Sequence, residues 1–435
     1  MEKTIFISAP YGLQIHDLLD SDILPLLVER SKLKIIVLSF PHKKEYLKER
    51  LGTLNGRVEI EDLTINSLRY RKHLIDWIHQ FRNSKWVSRS RFLTLSTNSL
   101  ISPFYTERRY RNLFRKYRPS LVITATPGLN LIDRFLLHEA KKARILTLSI
   151  VESWDKLATK GPIYVRPQLL AVWNEMMKED AERIHYYHPE KVFVVGTTRF
   201  DATLNGKNDI FSRKEFFEKM GLSPQRRLIT LTTAPTPSVG DHLFILKILT
   251  EAFRKNCFHF PVQILCRLHP NDDYRKYKDL MKVPHLFFDI PNFDLRPEYW
   301  TPTLENFTHL ANLVTHTDVL VNIASTMTIE AAIADTPIVN LGFSTSEPER
   351  FAYQIGVVHH QKHYRHILER KGIRIAHDEK ELIKHINNYL EDPSLDREGR
   401  KKIAEELTFK LDGKASERIA ELIIKLSNFE SWKSE

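Results

Sequence analysis

Three short segments in the second half of the chain carry the residue types needed to hold a diphosphate. The longest, Asp318-Val-Leu-Val-Asn-Ile-Ala-Ser-Thr-Met-Thr-Ile-Glu330, runs from an apolar stretch into the hydroxyl pair Ser325-Thr326 and then into helical spacing. A strand-to-helix junction of this kind offers an anion backbone N–H groups with no partner inside the helix, plus hydroxyl donors. Glu330 follows about one turn further in, within reach of the sugar hydroxyls of a nucleotide whose phosphates sit at the helix start. Leu231-Thr-Thr-Ala-Pro-Thr-Pro237 and Cys266-Arg-Leu-His-Pro270 each end a further apolar run. Thr232 and Thr233 add hydroxyls, Arg267 a two-pronged donor, and His269 a group that can donate to a departing phosphate. Each segment alone also reads as ordinary structure, a strand-ending turn or a helix cap. Their order within one α/β unit points to a nucleotide-activated small molecule.

In the first half, Val151-Glu-Ser-Trp-Asp-Lys-Leu-Ala-Thr-Lys-Gly161 is the densest polar constellation. Glu152 or Asp155 can deprotonate an acceptor hydroxyl, because a carboxylate in a cleft with a raised pKa is a natural general base. Trp154 can stack on a sugar ring, although the segment also reads as a turn with a buried Trp and a capping Asp. The turn Pro10-Tyr11-Gly12 ends the first apolar run, with His16 and Asp17 beyond it. His16 is a further candidate base, set against an ordinary helix-surface histidine. Tyr11, Gly12, Trp154 and Lys160 are the expected acceptor contacts.

Other tempting features carry less. Asp20-Ser-Asp22 mimics a metal-binding Asp-x-Asp, but it lies in a helix-like stretch before Pro25, where capping accounts for it. His359, His360 and His363 lack a Cys or acidic partner at ligand spacing and read as a surface cluster. No metal site is expected. No Gly-x-Gly-x-x-Gly or Walker loop is present, which disfavours NAD oxidoreductases and ATPases.

Arg267-Leu-His-Pro270, the Asp318 to Thr326 stretch and Asp412-Gly-Lys-Ala-Ser-Glu-Arg418 together resemble transferases of the GT-B fold. Within these the chain is most similar to the CDP-glycerol glycerophosphotransferase-like and surface-carbohydrate glycosyltransferase families. The resemblance implies a donor-binding second domain, with Arg267, His269, Ser325, Thr326 and Glu330 as contacts, and an acceptor-binding first domain. It also implies a terminal helix that packs back on the first domain. Ser153-Trp-Asp-Lys156 looks like the Ser-Trp-Asp-Asn segment of surface-carbohydrate transferases, with Lys156 replacing the amide. Glycerophosphotransferases commonly carry Asp-Tyr-Ser-Ser where this chain has Asn322-Ile-Ala-Ser325-Thr326, and a His-Gly loop that is not found here. Those departures favour a nucleotide sugar, UDP- or CDP-linked, over a polyol-phosphate donor, with no further cofactor.

The elements that must position these residues follow from hydropathy patterning. Short continuous apolar runs alternate with amphipathic stretches, the signature of parallel sheets covered on both faces. In the first half the runs fall at 4–8, 33–40, 58–63, 121–124, 145–150, 169–173 and 192–195, with helical spacing at 15–30, 131–140 and 175–187. The polar stretch 201–209 reads as a linker. Alternation then restarts, with strands at 228–232, 262–268, 286–288, 319–322 and 337–341, and helices at 243–253, 304–315, 326–334 and from 382 onward. The predicted fold class is α/β, two tandem doubly wound Rossmann-like domains facing each other across a cleft. Expected boundaries are 1–205, 206–400, and terminal helices 401–435.

At 435 residues the chain exceeds a single ordinary core, and no apolar run reaches membrane-spanning length. With two cysteines, no signal-like start and +11 net charge, a reduced cytoplasmic setting is expected, at the inner face of the membrane. The charge concentrates at 66–118, where thirteen Lys/Arg face two acids among many aromatics. That insertion suits an anionic acceptor or membrane surface, and no nucleic-acid motif accompanies it. The expected function is metal-independent transfer of a sugar from a nucleotide-activated donor to a cell-surface polysaccharide or lipid-linked acceptor. Alternatives are glycerophosphate transfer, nucleotide-sugar epimerisation, or nucleotide-sugar binding without turnover.

Overall fold

Among the described residues of the computed structural model every strand pairs in parallel, and the strands form two sheets. The structure describes residues 3–52, 54, 56–64, 105–206, 209–234, 242–270, 272–291, 302–343, 359 and 361–428. The first sheet contains β1 (Thr4–Ser8), β2 (Lys34–Ser39), β3 (Val58–Asp62), β4 (Leu121–Thr124), β5 (Leu146–Ile150), β6 (Leu169–Val172) and β7 (Val192–Val194), in the order β3-β2-β1-β4-β5-β6-β7. The second contains β8 (Arg227–Thr232), β9 (Val262–Arg267), β10 (Leu286–Asp289), β11 (Val319–Asn322), β12 (Ile338–Leu341) and β13 (Arg374–Ala376), in the order β10-β9-β8-β11-β12-β13. Strand order reverses between β1 and β4 and again between β8 and β11. Parallel sheets of this kind open a ligand crevice beyond the strand ends at that point.

The strands form because their residues are apolar on both faces. Ile5, Ile7, Ile35, Val37, Leu121 and Ile123 point to one side of the first sheet and pack with the helices Gly12–Leu19 and Ile23–Arg30 and the terminal helix Ala415–Asn428. Phe6, Ile36, Leu38 and Val122 point to the other side, against the helices Arg108–Tyr117 and Leu131–Lys142. Edge strand β3 breaks the pattern: Val58-Glu-Ile-Glu-Asp62 is half-exposed throughout, as an edge tolerates. The second sheet repeats the logic. Ile229, Leu231, Ile264, Val319 and Val321 face the helices Leu243–Arg254 and Glu379–Glu391, while Leu228 and Leu265 face Phe216 and Phe217.

The chain divides into two compact units, Gly206–Leu407 and a unit joining Met1–Asn205 to Thr408–Glu435. The terminal helix therefore returns to the first unit. It buries Ile419, Ile423 and Leu426 in that core, at about 1.5–3 kcal/mol each. Asp201 fixes its start, its buried carboxylate accepting from the N–H groups of Ala415 at 3.1 Å and Ser416 at 2.7 Å. This corrects the linker reading of 201–209: residues Asp201–Leu204 are helical, and Asp201 is polar because it caps a helix 214 residues away. The expected helix at 15–30 is two helices. Asp20 at the break is buried against Arg50, its acid pushed up to about 6 by burial despite that partner, and Ser21 Oγ accepts from the N–H of Ile23. No helix among the described residues is long and apolar enough to cross a membrane.

Candidate functional site

At the carboxyl edge of the second sheet, β9, β8 and β11 are neighbours, so the three loops that follow them leave side by side. Thr232 and Arg267 are register partners at the strand ends. Beyond them the loops are laced together: the Thr233 N–H donates to the Arg267 carbonyl at 3.0 Å, and the His269 N–H donates to Thr233 Oγ1 at 2.9 Å. Arg267 is pinned as well, its Nη1 2.8 Å from Asp289 Oδ2, which also meets His309 Nε2 at 2.9 Å. Burial alone would raise the Asp289 acid, but His309 and Arg267 outweigh it and hold the carboxyl below its usual range. That leaves Arg267 with most of its five donors uncommitted to Asp289.

His269 is half-buried two residues beyond Arg267. Burial, with Arg267 adding, pushes its pKa down to about 4 against an opposing pull from Asp272. At neutral pH it is an uncharged imidazole with one donor and one acceptor.

The third loop turns sharply, with Ala324 at φ 24°. Ser325 Oγ accepts from the N–H of Met327 at 3.2 Å, so one of the amides expected to be open to an anion is already capped. The helix that follows, Met327–Ile333, has seven residues, too few for a strong terminal field. Hydroxyls and side chains therefore matter more in this loop than the helix end. Thr326 starts that helix and Glu330 lies half-buried in its first turn.

At the first sheet, Glu152 follows β5 beside the switch point. Its N–H donates to the Ala125 carbonyl at 3.3 Å, and Lys156 Nζ holds Oε1 at 2.8 Å. Its other carboxylate oxygen, Oε2, is buried without a hydrogen-bond partner. Asp155 is spent on its own turn, accepting from Ser153 Oγ at 2.6 Å and Thr159 Oγ1 at 3.1 Å, with Lys160 Nζ at 3.6 Å. Trp154 is 6% exposed, so its ring is packed and not open for stacking. Tyr11 sets its ring edge-on against Phe40, and Gly12 begins the first helix.

His16 is buried, not a helix-surface residue, with Nδ1 2.9 Å from Asp17 Oδ1. Arg199 Nη2 bonds Asp17 Oδ2 at 2.8 Å and donates to the Glu152 carbonyl at 3.0 Å, tying the first helix to the Glu152 loop. Burial would raise the Asp17 acid, yet Arg199 and His16 hold it below its ordinary value.

Several participants were not among the candidate residues of the sequence reading. Asp133, fully buried at the same switch point, accepts from Ser8 Oγ, from the N–H and Oγ1 of Thr126, and from Asn130 Nδ2, at 2.6–3.1 Å. Burial pushes its acid up to about 7, with the Glu152 charge adding. Asn322 and Asn340, register partners inside otherwise apolar strands, are fully buried amides. An amide interrupting an apolar strand was the signal available for both.

His359 and His363 are buried edge-on to Tyr364, which overturns the surface-cluster expectation; His360 lies outside the described residues. Among the described residues no group of three or more His, Cys, Asp or Glu could hold a metal ion. Most of the basic insertion, 66–104, also lies outside them. Its described end, the helix Arg108–Tyr117, buries Tyr110, Leu113 and Phe114 and exposes Arg108, Arg111, Arg115 and Lys116.

A family model described as CDP-glycerol:poly(glycerophosphate) glycerophosphotransferase matches residues 141–425. No curated protein matches the chain in sequence. Among solved structures, S. aureus MnaA in complex with UDP is similar with TM-score 0.61 and 14% identity, over 100% of this chain and 99% of that one. The UDP-GlcNAc 2-epimerase of Neisseria meningitidis bound to UDP-GlcNAc gives TM-score 0.59 and 14% identity, over 98% and 100%. A glycosyltransferase from Rickettsia africae ESF-5 gives 0.54 and 12%, over 99% and 100%. At these identities the likeness is one of fold: two Rossmann-like domains, the GT-B architecture.

Proposed function

The chain belongs to the CDP-glycerol:poly(glycerophosphate) glycerophosphotransferase family, a family of transferases, and we propose that the group it transfers is a sugar, from a nucleotide-linked donor to a hydroxyl of a cell-surface polysaccharide or lipid-linked acceptor. The observation that carries the donor half is the lacing of Thr233, Arg267 and His269 beside the Ser325-Thr326 loop, with Arg267 pinned to Asp289. Hydroxyls of Thr232, Thr233, Ser325 and Thr326 and the Arg267 guanidinium meet the phosphate oxygens, and neutral His269 gives one N–H. Glu330 takes the ribose hydroxyls.

On the acceptor side Glu152 receives the proton, because its buried unpartnered oxygen is a vacant acceptor position in an otherwise satisfied turn. The acceptor O–H gives its proton to Glu152 as its oxygen bonds the anomeric carbon. The bond from that carbon to the phosphate oxygen breaks, and its electron pair stays on the nucleotide. The exposed basic face of the helix Arg108–Tyr117 supports an anionic acceptor or the inner membrane face as the acceptor's setting.

Structures of similar fold that hold UDP-GlcNAc or UDP support a nucleotide-sugar donor. The family match itself favours a second reading, glycerophosphate transfer from a CDP-linked donor. A thermal-shift screen across UDP, CDP and GDP and their conjugates tests the donor site: one ligand raises the melting temperature in wild type and not in Arg267→Ala. No response to any nucleotide refutes the reading. Product analysis then separates a glycosidic bond from a phosphodiester, and turnover without acceptor identifies an epimerase.

A further inference from the structure

Two buried polar atoms at the carboxyl edge of the second sheet have no hydrogen-bond partner, Thr232 Oγ1 and Asn322 Oδ1. They stand on adjacent strands, since β8 and β11 pair with Leu231 opposite Val321, and they flank the switch point. Buried polar groups left unsatisfied are rare in folded proteins and concentrate where a ligand or water is to come.

Asn322 is not a loose amide. Its Nδ2 donates to Thr328 Oγ1 at 3.1 Å, and that hydroxyl lies 3.0 Å from the Tyr364 phenol oxygen. The phenol in turn meets the Asn340 amide, Oδ1 at 3.0 Å and Nδ2 at 2.7 Å. All four side chains are fully buried. Either hydroxyl can donate in the Thr328–Tyr364 bond, and the Asn340 amide faces the phenol with both its ends. Since Asn322 Nδ2 donates to Thr328, the end of the Asn322 amide left over is its carbonyl oxygen. Its partner must carry an O–H or N–H. Ionised phosphate oxygens only accept and cannot serve.

We propose that Asn322 binds a hydroxyl of the nucleotide-linked donor, with Tyr364 as the positioning residue that commits the other end of its amide. The assignment rests on the donor-site reading above and adds to it a contact that is not to phosphate. Two parts of such a donor offer hydroxyls, the ribose and the transferred group.

Titration calorimetry with UDP, CDP, UDP-GlcNAc and CDP-glycerol tests it on wild type, Asn322→Ala, Tyr364→Phe and the double variant, with the melting temperature of each free protein as a control. Asn322→Ala should raise the Kd of the tightest ligand about tenfold, as for one buried hydrogen bond. Tyr364→Phe should raise it by less. The double variant should bind no worse than Asn322→Ala, because Tyr364 acts through Asn322. Equal loss for nucleoside diphosphate and full donor assigns the ribose; loss confined to the full donor assigns the transferred group. Either result supports the proposal. Lowered melting temperatures with wild-type Kd values overturn it and leave Asn322 a structural amide. Wild type binding none of the four refutes the donor site itself, and the assignment falls with it.

Discussion

Acidification should separate wild type from a His269→Gln variant, because a neutral, half-buried imidazole resists protonation that the unfolded chain accepts freely. The folded pKa is about 4 against an ordinary 6.5. Between those values the unfolded chain binds more protons, so stability falls as pH falls. At 1.36 kcal/mol per pH unit the second unit should lose about 2.5 kcal/mol to this group between pH 7.5 and 4.5. His269→Gln removes the titration yet keeps the backbone N–H that bonds Thr233. Urea unfolding of both proteins at the two pH values, with midpoints converted through the slope m, reads the difference directly. Asp133 works in the opposite sense. Its acid is pushed up to about 7, so its share of stability is present below its ordinary pKa and is lost as pH rises through about 7; it is common to both proteins and cancels. Parallel stability curves for wild type and His269→Gln would show that the imidazole is not desolvated and would undo its role as a neutral donor.

Arg267→Ala should abolish nucleotide binding and also strip Asp289 of one of its two cationic or histidine partners, lowering stability by about 3 kcal/mol. Arg267→Lys, assayed by the same thermal shift, should recover stability more than binding. Glu152→Gln should reduce kcat by about 10²–10⁴ in a radiolabelled transfer assay, while the donor Kd stays at the wild-type value; an unchanged kcat removes Glu152 as the base. Asp201→Ala leaves the Ala415 and Ser416 N–H groups uncapped and should cost about 1–2 kcal/mol, read as early hydrogen exchange along the terminal helix.

Much of the architecture was legible because parallel strands advertise themselves. Continuous apolar runs such as Ile5-Phe-Ile and Val319-Leu-Val have no other use than burial on two faces, and residues at their ends fall at the sheet edge whatever the tertiary detail. That is why Thr233, Arg267 and His269 group together from the sequence alone. What stayed hidden depends on contacts distant in sequence. Asp201 looks like linker polarity until the terminal helix arrives beside it. Asp20-Ser-Asp22 looks helical until Arg50 takes the carboxylate. The Asn322 relay needs the Asn340 register and a tyrosine on the helix Lys362–Glu369 to be visible at all. Asp155 shows the converse error: a carboxylate in a promising loop can be consumed by its own turn, and only hydrogen-bond partners distinguish it from Glu152.

The clip between Asp201 and the start of the terminal helix has a bearing on biosynthesis. The two partners are separated by 214 residues, so a ribosome adding about 5–20 residues per second needs roughly ten to forty seconds to deliver the second after the first. During that interval the apolar stripe formed by Ile15, Leu19, Ile23 and Leu27 lacks the Ile419, Ile423 and Leu426 that complete its core. The first unit to be made is thus the last to be finished, and nascent chains stalled before residue 415 should be clients of hydrophobic-binding chaperones where the released protein is not.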